Sequence, residues 1–376
     1  MGVYEELIAQ NKEFIDSTWE KLDRKLRVVA PRNREIIPYS TDETGKYKPT
    51  IPEGWTNGFW SGLLWLMYAG TGEEVYKDVA IRGEELLNVV LEDFDNLHHD
   101  VGFMWHISSG ARYRLTGDKK AKSINMYTAA SLASRYNMGT GVIRAFIEPE
   151  REKKVIVDSM MNIQQLFWAS EETKDPRFAL IAMSHADTTM KNHIRADGSV
   201  NHVLDYDIHT GEFLGVANGQ GAGFHESSWT RGQAWALYGY ALTYLHTGKQ
   251  EYLDTAKRVA HYFMACVSQT GYVPQYDFRQ TPDCKDIDTS AGAIAACGLI
   301  ELAKLVPEYE KVIYLRAAIE IMKALEKDYC DWSLETDAVL QGVAEGPKRL
   351  NVTLIFGEYF FAEAIYKLKG FEPLFW

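Results

Sequence analysis

Two kinds of apolar pattern alternate along this chain. The stretches Gly58–Tyr68, Gly102–Leu115, Ser159–Ala169, Gly232–Leu245, Ser290–Ala303 and Gly357–Lys367 are apolar or small on nearly every side. That pattern predicts helices buried all round. Between them run stretches with one charged face, such as Glu74–Val90 and Tyr252–Cys266, which predict amphipathic helices on the outside. A recurring turn leads from each buried stretch to the next amphipathic one. It reads Thr71-Gly72-Glu73, Thr116-Gly117-Asp118, Thr173-Lys174-Asp175-Pro176 and Thr247-Gly248-Lys249, with Val306-Pro307-Glu308 as a weaker cousin. The glycine supplies a left-handed helix end, and the acid or proline that follows favours the first turn of the next helix. Recurrence at intervals of about 45 to 75 residues marks a repeat of helical hairpins. With Val3–Leu22 as the remaining outer member, the fold expected is all-α. Twelve helices in six hairpins close an (α/α)6 toroid, with residues 1–376 as one domain.

Strict out-and-in alternation makes the inner helices parallel, so their amino termini gather at one end. The long loops entering them carry Trp55, His98-His99-Asp100, Asp158, the His202–Trp229 stretch, Asp286–Asp288 and the segment 343–356. Long loops concentrate function, and helix amino termini aim partial positive charge at whatever binds there. The expected mouth therefore favours an anionic ligand.

Composition narrows the classes. The 376 residues are 46% hydrophobic, ample for a large core, and no Pro/Gly/Ser-rich linker divides them. A net charge of −12 argues against nucleic acid. It leaves room for a small anionic substrate, because one buried arginine decides that locally. The amino terminus lacks a basic segment followed by an apolar core, and no apolar run reaches the roughly 18 residues of a membrane span. The four cysteines, Cys266, Cys284, Cys297 and Cys330, show no CxxC pairing. Reduced thiols in a cytoplasmic protein are expected, with neither a disulfide framework nor a zinc site.

Two carboxylates are the leading candidates for chemistry. Asp158 follows the β-branched run Val155-Ile156-Val157 and precedes a buried helix. The plain reading is an N-cap, since an aspartate there accepts amide hydrogen bonds from the first turn. Against it, Asp100 occupies the equivalent place one repeat earlier, and apolar neighbours desolvate both. Desolvation and a like charge favour the protonated form that a general acid needs, while the helix amino terminus acts in the opposite direction. His98-His99-Asp100 invites a metal reading, but adjacent histidines in an extended segment point apart and complete no ligand spacing. No metal is expected; one histidine orients a carboxylate or bonds a sugar hydroxyl. Arg231, in Trp229-Thr230-Arg231-Gly232-Gln233-Ala234-Trp235, lies in the first turn of an inner helix. An unpartnered buried arginine is costly, so it either pairs with an acid at the mouth or forks onto a substrate carboxylate. Trp235, one helical turn further in, either stacks on a sugar or fills the core, and Trp229 and Trp55 carry the same two readings. Gly219-Gln220-Gly221-Ala222-Gly223 looks like a dinucleotide loop but follows no strand, so no cofactor is expected.

Taken together, Trp55-Thr56-Asn57-Gly58-Phe59-Trp60, His98-His99-Asp100-Val101-Gly102-Phe103, Ile156-Val157-Asp158 with Asn162, Ser228-Trp229-Thr230-Arg231-Gly232-Gln233-Ala234-Trp235, Asp288-Thr289-Ser290 and Gly357-Glu358-Tyr359-Phe360 resemble the unsaturated glucuronyl hydrolases. The match runs in order over nearly the whole chain. It implies an (α/α)6 enzyme acting after polysaccharide lyases, which leave a 4,5-unsaturated uronic acid at the non-reducing end. The family hydrates that vinyl ether. Asp158 is implied as general acid/base and Asp100 as its partner. His202, Gly215, Gln220, Trp229, Arg231 and Trp235 are implied as substrate contacts, with Trp55, His99 and Phe146 beside them. The chain departs from the usual pattern at Phe146, where a tryptophan is common, at Ala217, and in the short Gly346-Pro347-Lys348-Arg349 turn. These departures bear on substrate preference.

Three other readings stand beside it. An unsaturated rhamnogalacturonyl hydrolase shares the barrel and the paired aspartates. A sugar epimerase or isomerase would recruit His98, His99, His202 and His225 as proton shuttles. A non-catalytic glycan-binding barrel would not distinguish saturated from unsaturated chains.

Overall fold

The computed structural model describes residues 2–217 and 226–376. Its helices run in chain order as α1 (Val3–Gln10), α2 (Lys12–Arg32), α3 (Phe59–Thr71), α4 (Glu74–Leu87), α5 (Ser109–Thr116), α6 (Lys119–Ser134), α7 (Ser159–Asn162), α8 (Gln164–Thr173), α9 (Pro176–His193), α10 (Thr230–Thr247), α11 (Gln250–Val267), α12 (Thr289–Leu305), α13 (Glu308–Tyr329) and α14 (Ile355–Leu368). The inner members are α3, α5, α7 with α8, α10, α12 and α14. Each packs on the next, α5 reaching α7 and α8 through the turn Gly102–His106 that leads into it, and α14 returns to pack on α3, which closes the toroid. Outside them lie α2, α4, α6, α9, α11 and α13.

The division follows from the two apolar patterns. All of α10 from Thr230 to Thr243 is buried, as is all of α12 from Thr289 to Ala303. By contrast α11 buries one stripe, Tyr252, Leu253, Ala256, Val259, Ala260 and Phe263 among it. The turn glycines do what their positions require: Gly72, Gly117 and Gly248 end α3, α5 and α10 at φ of 74°, 71° and 66°. Lys174 takes the same left-handed role after α8 at φ 59°. No helix among the described residues is long and apolar enough to cross a membrane.

Several details depart from an ideal hairpin repeat. The first outer member breaks at Asn11, and the third inner member breaks at Ile163. The second inner member begins as a π-helical turn, Gly102–His106. The loops at the mouth also contain short antiparallel strands that the helical reading did not anticipate. They are β1 (Pro38–Thr41) with β2 (Tyr47–Pro49), β3 (Tyr136–Asn137) with β4 (Val142–Ile143), and the sheet β5 (Lys154–Ile156), β6 (Val203–Tyr206) and β7 (Phe213–Ala217) in that order. The β-branched run before Asp158 thus forms an edge strand, with Ile156 paired to Val203.

Candidate active site

The β5–β6 pairing sets up the first carboxylate. Its last backbone bond runs from Val157 N–H to the His202 carbonyl at 3.2 Å, and one residue later the chain is already helical, with Asp158 at φ −55°, ψ −27°. In that conformation the Asp158 side chain does not cap its helix. Oδ2 instead lies 3.2 Å from His202 Nε2, and both side chains are mostly buried. The N-cap reading of Asp158 is thus replaced by a carboxyl free of backbone duty.

Asp100 is held from three sides. Asn162 Nδ2 donates to Oδ1 at 2.9 Å, while His99 Nε2 and His98 Nδ1 lie 3.2 and 3.4 Å from Oδ2. Burial alone would raise this carboxyl, but the charge and hydrogen bonding of His99 and His98 outweigh it, holding Asp100 well below the usual carboxylate range. His99 Nδ1 in turn meets Ser159 Oγ at 2.8 Å, and His98 Nε2 meets the Glu53 carbonyl at 3.1 Å. The two imidazoles therefore do not point apart, as expected for an extended segment. Both converge on one oxygen, Oδ2 of Asp100, from a turn at His99 and Asp100 where an extended segment was expected.

Asp100 and Asp158 face one cavity of about 450 Å³. Its walls include Trp55, Phe146, Ile156, Trp229, Arg231 and Phe356, and its rim carries Tyr39 and the turn Glu345–Arg349. Apolar and aromatic walls with a few convergent polar groups are the usual build of a small-molecule site. The Arg231 guanidinium lies 4.4 Å from the Trp229 ring centre and 5.0 Å from that of Phe356. Its Nη1 donates to Asp288 Oδ2 at 2.6 Å and to the Ala344 carbonyl, and Nη2 donates to the Glu345 carbonyl at 3.2 Å. Arg231 thus pairs with an acid at the mouth while also forming part of the cavity wall. The same contacts tie the rim turn to the inner helices.

The remaining sequence candidates fall at graded distances from the carboxylates. His99 and His202 sit behind Asp100 and Asp158 as hydrogen-bond partners. Trp229 presses on His202, ring centres 4.4 Å apart, and its buried Nε1 has no hydrogen-bond partner among the described residues. Trp235 lies in the core beneath, 5.0 Å from Phe103 and 5.3 Å from Phe360, outside the cavity wall. Gly215 is on β7 opposite Asp205, also away from the wall. Gln220 and His225 lie outside the described residues. Tyr39 and Phe356 were missed: neither sits in a motif, and only the ring closure that brings β1 and α14 to the mouth reveals them. Lys348 and Arg349, in the short turn where the chain departs from the usual pattern, border the cavity. Arg349 is engaged by Glu345 and by Ser40 Oγ at 2.9 Å.

A closed helical toroid with an acid pair in an aromatic cavity suits a glycoside hydrolase. Residues 30–341 match the model of Glycosyl Hydrolase Family 88, and the chain belongs to that family. It is 33% identical over 354 residues to the unsaturated glucuronyl hydrolase of Bacillus sp. (strain GL1), covering 90% of this chain and 93% of that one. The crystal structure of the Bacillus enzyme, described as responsible for the degradation of glycosaminoglycan, is similar at a TM-score of 0.88 and 32% identity, covering 93% and 97%. The chain is 32% identical over 377 residues to the unsaturated chondroitin disaccharide hydrolase of Streptococcus pneumoniae, covering 97% and 94%.

Proposed function

We propose that residues 1–376 act as one catalytic unit that releases the 4,5-unsaturated glucuronic acid from the non-reducing end of lyase-generated oligosaccharides. The observation that carries this reading is the uncapped Asp158 carboxyl sharing an aromatic cavity with a fully hydrogen-bonded Asp100. The names of the Bacillus and Streptococcus relatives support the same substrate class.

The two aspartates divide the work by their surroundings. Asp158 donates its proton to C4 of the C4=C5 double bond, and positive charge develops across C5 and the ring oxygen. Asp100 stays ionised and stabilises that charge from a dry, preorganised position. Water adds at C5 as Asp158 takes back a proton, with His202 holding the carboxylate in line. The C5 hemiketal opens to a ketone, which leaves C1 as a hemiacetal of the neighbouring sugar. Its collapse to an aldehyde releases that sugar. Because the chemistry starts at C4 rather than C1, carboxylate spacing rules for retention and inversion do not govern it. Every proton moves between side chain, water and substrate, so the reaction calls for no cofactor. Trp55, Trp229 and Phe146 offer ring faces to the sugar, and the inner-helix amino termini favour its carboxylate.

The test is a panel of unsaturated disaccharides made by lyases from chondroitin, hyaluronan, heparin, gellan and xanthan. Turnover removes the ultraviolet absorbance of the conjugated double bond. Asp158→Asn is expected to abolish turnover while leaving substrate binding measurable by calorimetry. Full activity in that variant, or an isomerised sugar with no bond cleaved, would overturn the reading.

A further inference from the structure

Asn162 is fully buried and bonds to both halves of the carboxylate pair. Its Oδ1 accepts the Phe103 N–H at 2.9 Å; its Nδ2 donates to Asp100 Oδ1 at 2.9 Å and to the Asp158 carbonyl at 3.3 Å. The amide's orientation follows from chemistry, because a backbone N–H only donates and an ionised carboxylate only accepts. The Phe103 N–H is an orphan of the first turn of its own inner helix. Asn162, from the neighbouring one, caps it.

A second connection runs in parallel. With Asp100 ionised, the 3.2 Å contact from His99 requires a proton on Nε2. The other ring nitrogen, Nδ1, meets Ser159 Oγ at 2.8 Å, and a hydroxyl serves there as donor or acceptor. Ser159 and Asn162 are both on α7, whose first turn Asp158 begins. The fit admits no slack: a Cβ on Gly102 would stand 2.7 Å from Asn162 Oδ1 and 2.8 Å from its Cα.

We infer that Asn162, backed by the Ser159–His99 contact, is a positioning residue that gears Asp100 to the helix carrying Asp158, so that the two carboxylates keep one relative geometry across two repeats. This inference rests on the reading of Asp100 and Asp158 given above. Asn162 supplies a neutral donor, which aims Asp100 without adding a proton that could be lost near neutrality. Ser159 fixes the ring orientation through which His99 supplies the other.

Asn162→Asp is the discriminating variant. Protonated, the introduced carboxyl keeps an acceptor for the Phe103 N–H and a donor for Asp100. Ionised, it loses the donor and faces Asp100 as a like charge. With an unsaturated chondroitin disaccharide, kcat of this variant is expected to be highest at acid pH. It should fall with rising pH more steeply, and from a lower pH, than in the parent, whose own general acid also ionises, while circular dichroism at each pH stays that of a folded helical protein. Asn162→Ala should lower kcat about 10- to 100-fold with a smaller change in KM, and Ser159→Ala should lower it less. A parent-like kcat in Asn162→Ala, or a pH profile in Asn162→Asp that parallels the parent, overturns the inference. Should Asp158→Asn be inactive while both Asn162 variants behave as the parent, the catalytic assignment stands and the gearing alone fails. An inactive parent enzyme sinks the catalytic reading itself.

Discussion

Replacing Glu84 by glutamine should stabilise this protein at alkaline pH. Glu84 is on α4, 1% exposed, with Oε1 accepting from Trp65 Nε1 at 2.8 Å and Oε2 from Ser109 Oγ at 3.1 Å. Burial pushes its carboxyl up to about 7, against the opposing pull of Trp65, Arg112 and Ser109. A raised folded-state value means that Glu84's contribution to stability is fully present below about 4.5. It is lost as pH rises through about 7. A difference of about 2.5 units corresponds to about 3 kcal/mol at 1.36 kcal/mol per unit. Glutamine keeps the acceptor for Trp65, offers its amide to the Ser109 oxygen, and never ionises. The nearby Arg112, 3.7 Å away, retains Asp118 at 2.7 Å and is not stranded. Urea unfolding of parent and Glu84→Gln at a series of pH values should therefore give equal midpoints near pH 4.5. The variant should gain an advantage that grows to about pH 7 and then levels, reaching up to about 3 kcal/mol. A variant less stable than the parent at pH 8 would mean that Arg112 and Trp65 hold the carboxylate ionised, and the burial argument would be wrong.

Two further outcomes follow from close packing. A Cβ on Gly58 would lie 2.2 Å from the backbone oxygens of both Phe103 and Met104, neither of which can swing aside. Gly58→Ala should cost about 3 kcal/mol and lower activity as well, because the π turn that shifts begins just after Asp100; an unchanged melting temperature would refute this. Trp376, 5% exposed, stacks on Phe360 at 6.1 Å, lies 5.9 Å from Phe103, and donates Nε1–H to Glu363 at 3.0 Å. Trp376→Ala should lower stability by about 3 to 5 kcal/mol in urea unfolding, and a loss under 1 kcal/mol would show that the site is refilled.

The toroid was legible because its signals are local. A helix apolar on every side, a turn glycine and the acid after it are each readable within a dozen residues, and repetition makes them add. Residues whose placement depends on distant segments were not legible. His202, 44 positions after Asp158 in the chain, reaches it because β5 and β6 pair, and nothing in Val155-Ile156-Val157 separates an edge strand from an extended lead into a helix. The π turn at Gly102–His106 leaves no periodic trace in five residues. Asp288 was visible as a loop acid, yet its role as the Arg231 partner appears only when α10 and α12 lie side by side.

Asp158 and Asp288 hold the same place in their repeats, each immediately ahead of an inner helix, and their difference explains how one scaffold carries both a structural acid and the acid proposed to react. Asp288 is extended, at φ −139°, ψ 96°, and in that conformation its Oδ1 accepts from Ser290 N–H at 3.2 Å as an N-cap does. Its other oxygen neutralises Arg231. Every lone pair of consequence is engaged inside the wall. Asp158 is helical from the outset because the strand pairing ends one residue before it, so its side chain cannot fold back onto the first turn. That leaves its oxygens to a histidine and the cavity. The step from cap to candidate acid is thus a change of backbone angle imposed by a three-stranded sheet, and lengthening β5 by one residue would convert the second kind of aspartate into the first.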